Sequence, residues 1–333
     1  MSLQTRKFIH QSIGDKDKYN IITFPTHERF ESDLCKTGHN FYGFIGEGMK
    51  TWDASYAKVP DNYYMMPQNS VPFSIDYDFI LANSKFGHLQ TAYKIANIFK
   101  IPIISMECTV PTINMTNEQL NHFRQMTGDV NVFLTNYSKE QWSIDGESTV
   151  IPHGIDTNIF RPANHAEKKP QVLSVVNDWI NRDYCCNWQG YVRITNEGKE
   201  FPTRIVGKTE GLSEPTSSIE ELVQEYSSSQ VFLNTSTHSP IPTALLEAMA
   251  CSCAVVTTAT CEIPNVIEHG VNGFMSNDED ELRGYCKQLL EDEELRNKMG
   301  AEARGTILAL FSEEKFIKNW NSLFTQTYRM GKS

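Results

Sequence analysis

Twice along the chain, short runs of β-branched and aromatic residues alternate with longer stretches whose apolar residues return every three or four positions. YNIITF (19–24), YDFILANS (77–84) and IPIISMEC (101–108) have the make-up of buried strands. Between the last two, Leu89, Tyr93, Ile95, Ile98 and Phe99 approximate one apolar helical face. Strand, helix, strand is the unit of a parallel sheet. EQLNHFRQM (118–126) as a helix, with NVFLTNYS (131–138) and STVIPHGI (148–155) as strands, closes the first half. The rhythm then restarts. QVLSVV (171–176), TRIVG (203–207), QVFLNTS (230–236) and CAVVTT (253–258) are strand-like, and IEELVQEYSSS (219–229), TALLEAMAC (243–251) and residues 280–311 carry helical spacing. The expected fold class is α/β, with two doubly wound Rossmann-like domains in tandem.

The polar, proline-bounded stretch RPANHAEKKP (161–170) reads as the hinge. The expected domains are 1–160 and 161–312, followed by a helix over 313–333. Its Phe316, Trp320, Leu323 and Phe324 share one face and are expected to pack back on the first domain. VPDNYYMMPQNSVPF (59–73) reads as an irregular connection, in which Tyr63 and Tyr64, with Trp52 before them, are candidates to stack on an acceptor, with packing in the core as the alternative.

At 333 residues and 40% hydrophobic content the chain can fill two cores. Thirty basic against 41 acidic residues give a net charge of −11, which disfavours nucleic acid and anionic bilayers as partners. No apolar run reaches bilayer length and the first residues lack a secretory apolar region, so a cytoplasmic location is expected. The eight cysteines lack paired CxxC spacing and read as reduced, structural thiols.

The most informative segment is VFLNTSTHSPIPTALLEAMACSCAVVTT (231–258), where a strand, a Ser/Thr/Pro turn and a helix follow in order. A helix that starts just past the carboxyl end of a parallel strand offers free N–H groups and a positive dipole end, a natural seat for phosphate. Glu247, further into that helix, has the chemistry to accept hydrogen bonds from the vicinal hydroxyls of a ribose; spacing alone leaves a surface glutamate equally open.

LLEAMACSCAVV, VIPHGIDTNIFRP (150–162) and EIPNVIEHGVNGF (262–274) together resemble the retaining glycosyltransferases of family 4. That resemblance implies the GT-B fold, two Rossmann-like domains facing across a cleft. It also implies transfer of a sugar from a nucleotide diphosphate sugar, held by the second domain, to an acceptor held by the first. Glu247 then matches the ribose-binding carboxylate, and Ile241, Pro242, Thr243 and Ala244 the turn beside the diphosphate. His153 and Gly154 belong to the interdomain motif, with Gly154 allowing a close or left-handed turn. Asp156 more simply shapes that segment. Arg182 stands near the family's cationic position and Lys208 is the second cation; ion pairing of Arg182 with Asp178 or Asp183 is the alternative. Eight residues before Glu247, where the family has an acid, stands Ser239, with His238 beside it as a sugar-hydroxyl partner.

After the first strand come Thr26, His27, Glu28 and Arg29 in place of a glycine-rich loop. His27 and Glu107 are read as groups at the reacting centre, Glu28 and Arg29 as acceptor contacts; a capping loop and a turn carboxylate are the alternatives. Amides, helix dipole, Arg182 and Lys208 would stabilise the leaving diphosphate without a cofactor or metal, and no Asp-x-Asp is placed as a metal clamp. The partner expected is a nucleotide sugar, with a small molecule, glycan or lipid-linked sugar as acceptor. Two other readings remain: a phage-type DNA base glycosyltransferase, which the acidic balance opposes, and a sugar-nucleotide-binding protein without turnover.

Overall fold

The computed structural model describes residues 16–54, 56–163 and 167–332. The chain divides into two compact units, Met1–His153 with Glu314–Ser333, and Gly154–Glu313. The division falls before the expected hinge, of which residues 164–166 lie outside the described residues.

The first unit is built on a parallel sheet of β1 (Asn20–Thr23), β2 (Asn40–Gly43), β3 (Tyr63–Met65), β4 (Phe79–Ala82), β5 (Ile103–Glu107), β6 (Val130–Phe133) and β7 (Ser148–Val150), in the order β3-β2-β1-β4-β5-β6-β7. Successive side chains alternate between two cores. Ile21, Phe79, Leu81 and Ile104 pack on one face, while Ile22, Ile80, Ala82 and Ile103 pack on the other. Burial of both faces explains why these strands read as unbroken apolar runs. β2 and β3 lack the strand signature of the central strands, because β3 is the sheet's edge with β2 next to it, both are only partly buried, and both are aromatic rather than β-branched.

One helix differs in detail from expectation, and the C-terminal one packs as expected. His88–Phe99 buries Leu89, Ala92 and Ile95, whereas Tyr93 and Ile98 are exposed. Its inner face turns on small Ala92, which a search for large apolar residues passes over. The C-terminal helix Glu313–Gly331 buries Phe316, Trp320, Leu323 and Phe324 in the first unit's core, against Phe30, Phe41 and Phe79.

The second unit has β8 (Lys169–Val175), β9 (Thr203–Val206), β10 (Ser229–Asn234), β11 (Ala254–Thr257) and β12 (Phe274–Met275), all parallel in the order β12-β11-β10-β8-β9. Leu173, Phe232 and Val255 share a core with the helices Ile219–Ser228, Thr243–Ala250 and Glu293–Leu310. Val172, Val231, Leu233 and Val256 share the opposite one with Trp188–Thr195 and Glu279–Glu291. Residues 280–311 thus form two helices, parted at Asp292, whose carboxylate caps the second by accepting from the Leu295 N–H at 2.9 Å.

Strand order reverses between β1 and β4 in one sheet and between β8 and β10 in the other. In open parallel sheets, ligands bind beyond the carboxyl ends of the strands at such points.

Candidate functional site

In the second unit, the segment after β10 is fixed from two sides. The Thr237 and His238 N–H groups donate to the Cys185 carbonyl at 2.8 and 3.3 Å, and the Thr235 hydroxyl to the Cys186 carbonyl at 2.9 Å. On the other side, the Thr258 and Thr260 hydroxyls donate to the Ser236 carbonyl. Ser239 is half-buried, and the Ile241 side chain is in the core, so only the backbone of Ile241 can face a ligand. Pro242 then occupies the N-cap of Thr243–Ala250 with no capping side chain. Leu245 and Leu246 return their N–H groups to the Pro242 carbonyl. The Thr243 and Ala244 amides precede that first bond and are the helix's orphan donors, at its positive end.

Glu247 lies in the following turn, 2% exposed, and its Oε2 accepts from the Tyr226 hydroxyl at 2.9 Å. The phenol satisfies and orients a carboxylate whose burial would otherwise be costly.

The two cations meet at Asn177, just beyond β8. The Asn177 carbonyl accepts from Arg182 Nη1 at 3.4 Å, and its Oδ1 accepts from the Lys208 N–H at 2.9 Å. Lys208 returns the contact through its carbonyl, which accepts from the Asp178 N–H at 2.8 Å. Both cationic side chains are exposed. The alternative pairing of Arg182 is not found: Asp178 accepts from Asn181, and Asp183 from the Gln189 N–H. Close approach of the two segments needs Gly207. Its φ is +120°, and a Cβ there would stand 2.1 Å from the Val176 carbonyl oxygen. Gly154, by contrast, is not among the glycines with left-handed backbone. Asp156 caps its own turn, accepting from the Asn158 N–H at 3.0 Å.

All eight cysteines are free. Cys185 and Cys186 sit with their sulfurs 3.8 Å apart, and the hydrogen bond between them pulls the Cys185 thiol down to about 6.

In the first unit, the segment after β1 ends on His27, the N-cap of the helix Glu28–Cys35. His27 is exposed and Arg29 half-buried, and His153 lies close to both. Desolvation, helped by His27 and Arg29, pushes the His153 imidazole down to about 4, so it is neutral at pH 7. Its ring meets the edge of Phe30 at 5.9 Å.

Glu28 is 4% exposed and its carboxylate is occupied by Lys50 at 2.7 Å and by the Asp53 N–H at 3.0 Å. Against the burial that raises it, these donors hold Glu28 below the usual carboxylate range. Its chemistry is therefore spent on shaping the loop. Glu107 accepts from the Thr109 N–H and hydroxyl and from the Lys85 N–H, and burial pushes its acid upward. That is the arrangement of a turn carboxylate. Tyr63 and Trp52 pack on each other at 4.6 Å in the first unit's core, and Tyr64 is exposed beside Tyr42.

Sequence reasoning passed over four residues. Asn177 tethers both cations, and Glu31 and Asn83 hold the β1 segment. Lys85 is 1% exposed, donates to the Met126 carbonyl, and is pushed by burial to about 8. For Glu31 a signal existed, since an acid one turn after the N-cap can reach back to the helix's first amides. Among the described residues, no group of three or more His, Cys, Asp or Glu is arranged to hold a metal ion, and no helix is long and apolar enough to cross a membrane.

Residues 215–306 match the family model described as glycosyl transferases group 1, which spans the segment from the helix Ile219–Ser228 through most of Glu293–Leu310. N-acetyl-alpha-D-glucosaminyl L-malate synthase of Bacillus anthracis is 35% identical over 91 residues, 27% of this chain and 24% of the relative. The match thus spans about a quarter of that curated relative's length. Among solved structures, Anabaena HepE in complex with UDP and glucose superposes with a TM-score of 0.72 at 13% identity, covering 92% of this chain and 99% of that one. Sucrose-phosphate synthase from Thermosynechococcus elongatus gives 0.69 at 14% identity, covering 93% and 99%. The fold is that of the GT-B glycosyltransferases, and residues 215–306 within it match the glycosyl transferase family model.

Proposed function

We propose that the chain transfers a sugar from a nucleoside diphosphate sugar to an acceptor with retention at the anomeric carbon, as in family 4. The observation that carries the reading is the convergence in the second sheet. The uncapped start of Thr243–Ala250 follows β10, while Asn177 ties Arg182 and Lys208 to the ends of β8 and β9. β8 lies between β9 and β10, so amides and cations are only about 10 Å apart along the sheet edge. That separation is within reach of Arg and Lys side chains and suits a diphosphate.

In this reading the Thr243 and Ala244 amides and the two cations stabilise the charge that grows on the departing diphosphate, without a metal in that role. Glu247, aligned by Tyr226, accepts from the ribose hydroxyls. His238 and Ser239 contact the sugar. The leaving phosphate takes the acceptor proton, and His27 and Arg29 bind the acceptor, a small molecule, glycan or lipid-linked sugar. UDP is the first nucleotide to try, because the HepE structure holds it.

Ser239 in place of the family acid favours one second reading, a nucleotide-sugar binder without turnover. Thermal-shift titration with UDP and UDP-glucose tests the proposal. UDP is expected to raise the melting temperature. Glu247→Ala should abolish the shift, and Arg182→Ala or Lys208→Ala should weaken UDP binding about 10- to 100-fold each. A shift that survives Glu247→Ala intact refutes the ribose assignment. Binding without release of glucose from UDP-glucose favours the second reading.

A further inference from the structure

We propose that Glu31 is a positioning residue: its buried carboxylate sets the placement of Thr26 and His27 beyond β1, and through them the acceptor chemistry of the first unit. What His27 does rests on the function proposed above, whereas the geometry stands apart from it.

The Glu28–Cys35 helix has no side-chain cap at His27. Glu31, one turn in, does that work by reaching back. Its Oε1 accepts from the Thr26 N–H at 2.7 Å, the His27 N–H at 3.3 Å and Asn83 Nδ2 at 3.3 Å. Its Oε2 accepts from the Tyr63 hydroxyl at 2.9 Å. Asn83 continues the clasp to the Thr23 hydroxyl and the Phe24 carbonyl. From the other side Lys50 donates to the Thr26 carbonyl at 2.9 Å while pairing with Glu28. The Thr26 residue is therefore held at both its N–H and its C=O, with Glu31 the acceptor shared by both amides.

All four groups that meet Glu31 are donors. An ionised carboxylate can accept from all of them, while a protonated acid must turn the Tyr63 hydroxyl or release a donor. Tyr63 has little room to move, since a Cβ on Gly43 would stand 2.8 Å from its hydroxyl. The titratable groups around Glu31 are Glu28 and Cys35 on its own helix, Tyr63 from β3 and Cys108 after β5, with Lys50 paired to Glu28. Burial keeps the two thiols and the phenol neutral. That leaves Glu31, which burial raises to about 7, and the exposed His27 imidazole as the groups that change charge near neutrality.

The test follows the amide resonances of positions 26 and 27 in the full, isotope-labelled chain from pH 5 to 9, with His27→Gln as the background so that no imidazole titrates there. They should share an inflection near pH 7, which Glu31→Gln removes. Tyr63→Phe deletes a donor to the carboxylate and should move the inflection upward; it serves as the second variant should Glu31→Gln not fold. The Kd for UDP should stay within twofold in both variants, and kcat with UDP-glucose should follow the inflection while KM does not. Failure of UDP to bind the unsubstituted protein defeats the proposed function and leaves the resonance experiment to judge Glu31. The positioning role is overturned if the two amides show no shared inflection, if it persists in Glu31→Gln, if Tyr63→Phe leaves it in place, or if UDP affinity falls with Glu31→Gln.

Discussion

Replacing Gly207 by alanine should damage the second unit twice over, in stability and in phosphate affinity. At φ +120° the backbone lies where residues with a side chain rarely go, a strain of about 1–3 kcal/mol. The added methyl would also stand 2.1 Å from the Val176 oxygen and 2.6 Å from its carbonyl carbon. Ordinary contact begins near 3.4 Å, so the backbone must move by more than an ångström. That motion pulls the Lys208 N–H from Asn177 Oδ1 and loosens the segment bearing Arg182. Strain and lost hydrogen bond together suggest about 3 kcal/mol. Gly211, a few residues on at φ +72°, has nothing within 4 Å of its would-be Cβ and is the control. Its alanine variant carries only the backbone term, about 1 kcal/mol. Urea unfolding of both variants, with UDP titration alongside, decides the matter. Equal costs for the two, or a Gly207→Ala protein with undiminished UDP affinity, would show that the close approach at Val176 does not hold the cations.

Trp320→Ala removes a fully buried indole that meets Phe30 and Phe324, and should cost about 3–5 kcal/mol in urea unfolding; a loss under about 1 kcal/mol would mean the C-terminal helix adds little to the first unit. His153, pushed from 6.5 down to about 4, binds fewer protons folded than unfolded between those values. Its contribution is therefore present above pH 6.5 and lost as pH falls towards 4, and His153→Gln should flatten the melting temperature across that window. An unchanged acid limb would place the titration elsewhere.

The legible parts of the fold were those whose physics is one-dimensional. Ile21, Ile22, Ile80 and Ile104 announce strands because both faces of a central strand are buried, so a run of neighbours is apolar. Tyr63 and Tyr64 do not, since an edge strand needs only one buried side chain in two. The start of Thr243–Ala250 was readable from a strand, a turn and prolines in succession, and Glu247 from its place in LLEAMA. The Tyr226 hydroxyl that orients it arrives from another helix, and nothing local signals it. Asn177 was hidden for a similar reason. Its importance lies in joining segments some thirty residues apart, through a carbonyl and an amide oxygen that no composition reveals. Glu28 reads in the sequence as an acceptor contact in a polar cluster, yet Lys50 and the Asp53 amide claim it.

The C-terminal helix carries a consequence for how the protein comes into being. Its Phe316 and Trp320 complete a core laid down by Phe30, Phe41 and Phe79, and the Tyr19 hydroxyl donates to Thr325 across 306 positions of chain. On the ribosome, the unit begun first is finished last. At roughly 5–20 residues per second, its greasy face waits about ten to thirty seconds while the whole of Gly154–Glu313 is made. During that interval the nascent chain presents an uncovered aromatic surface, and it is there that a chaperone, or an aggregate, would take hold.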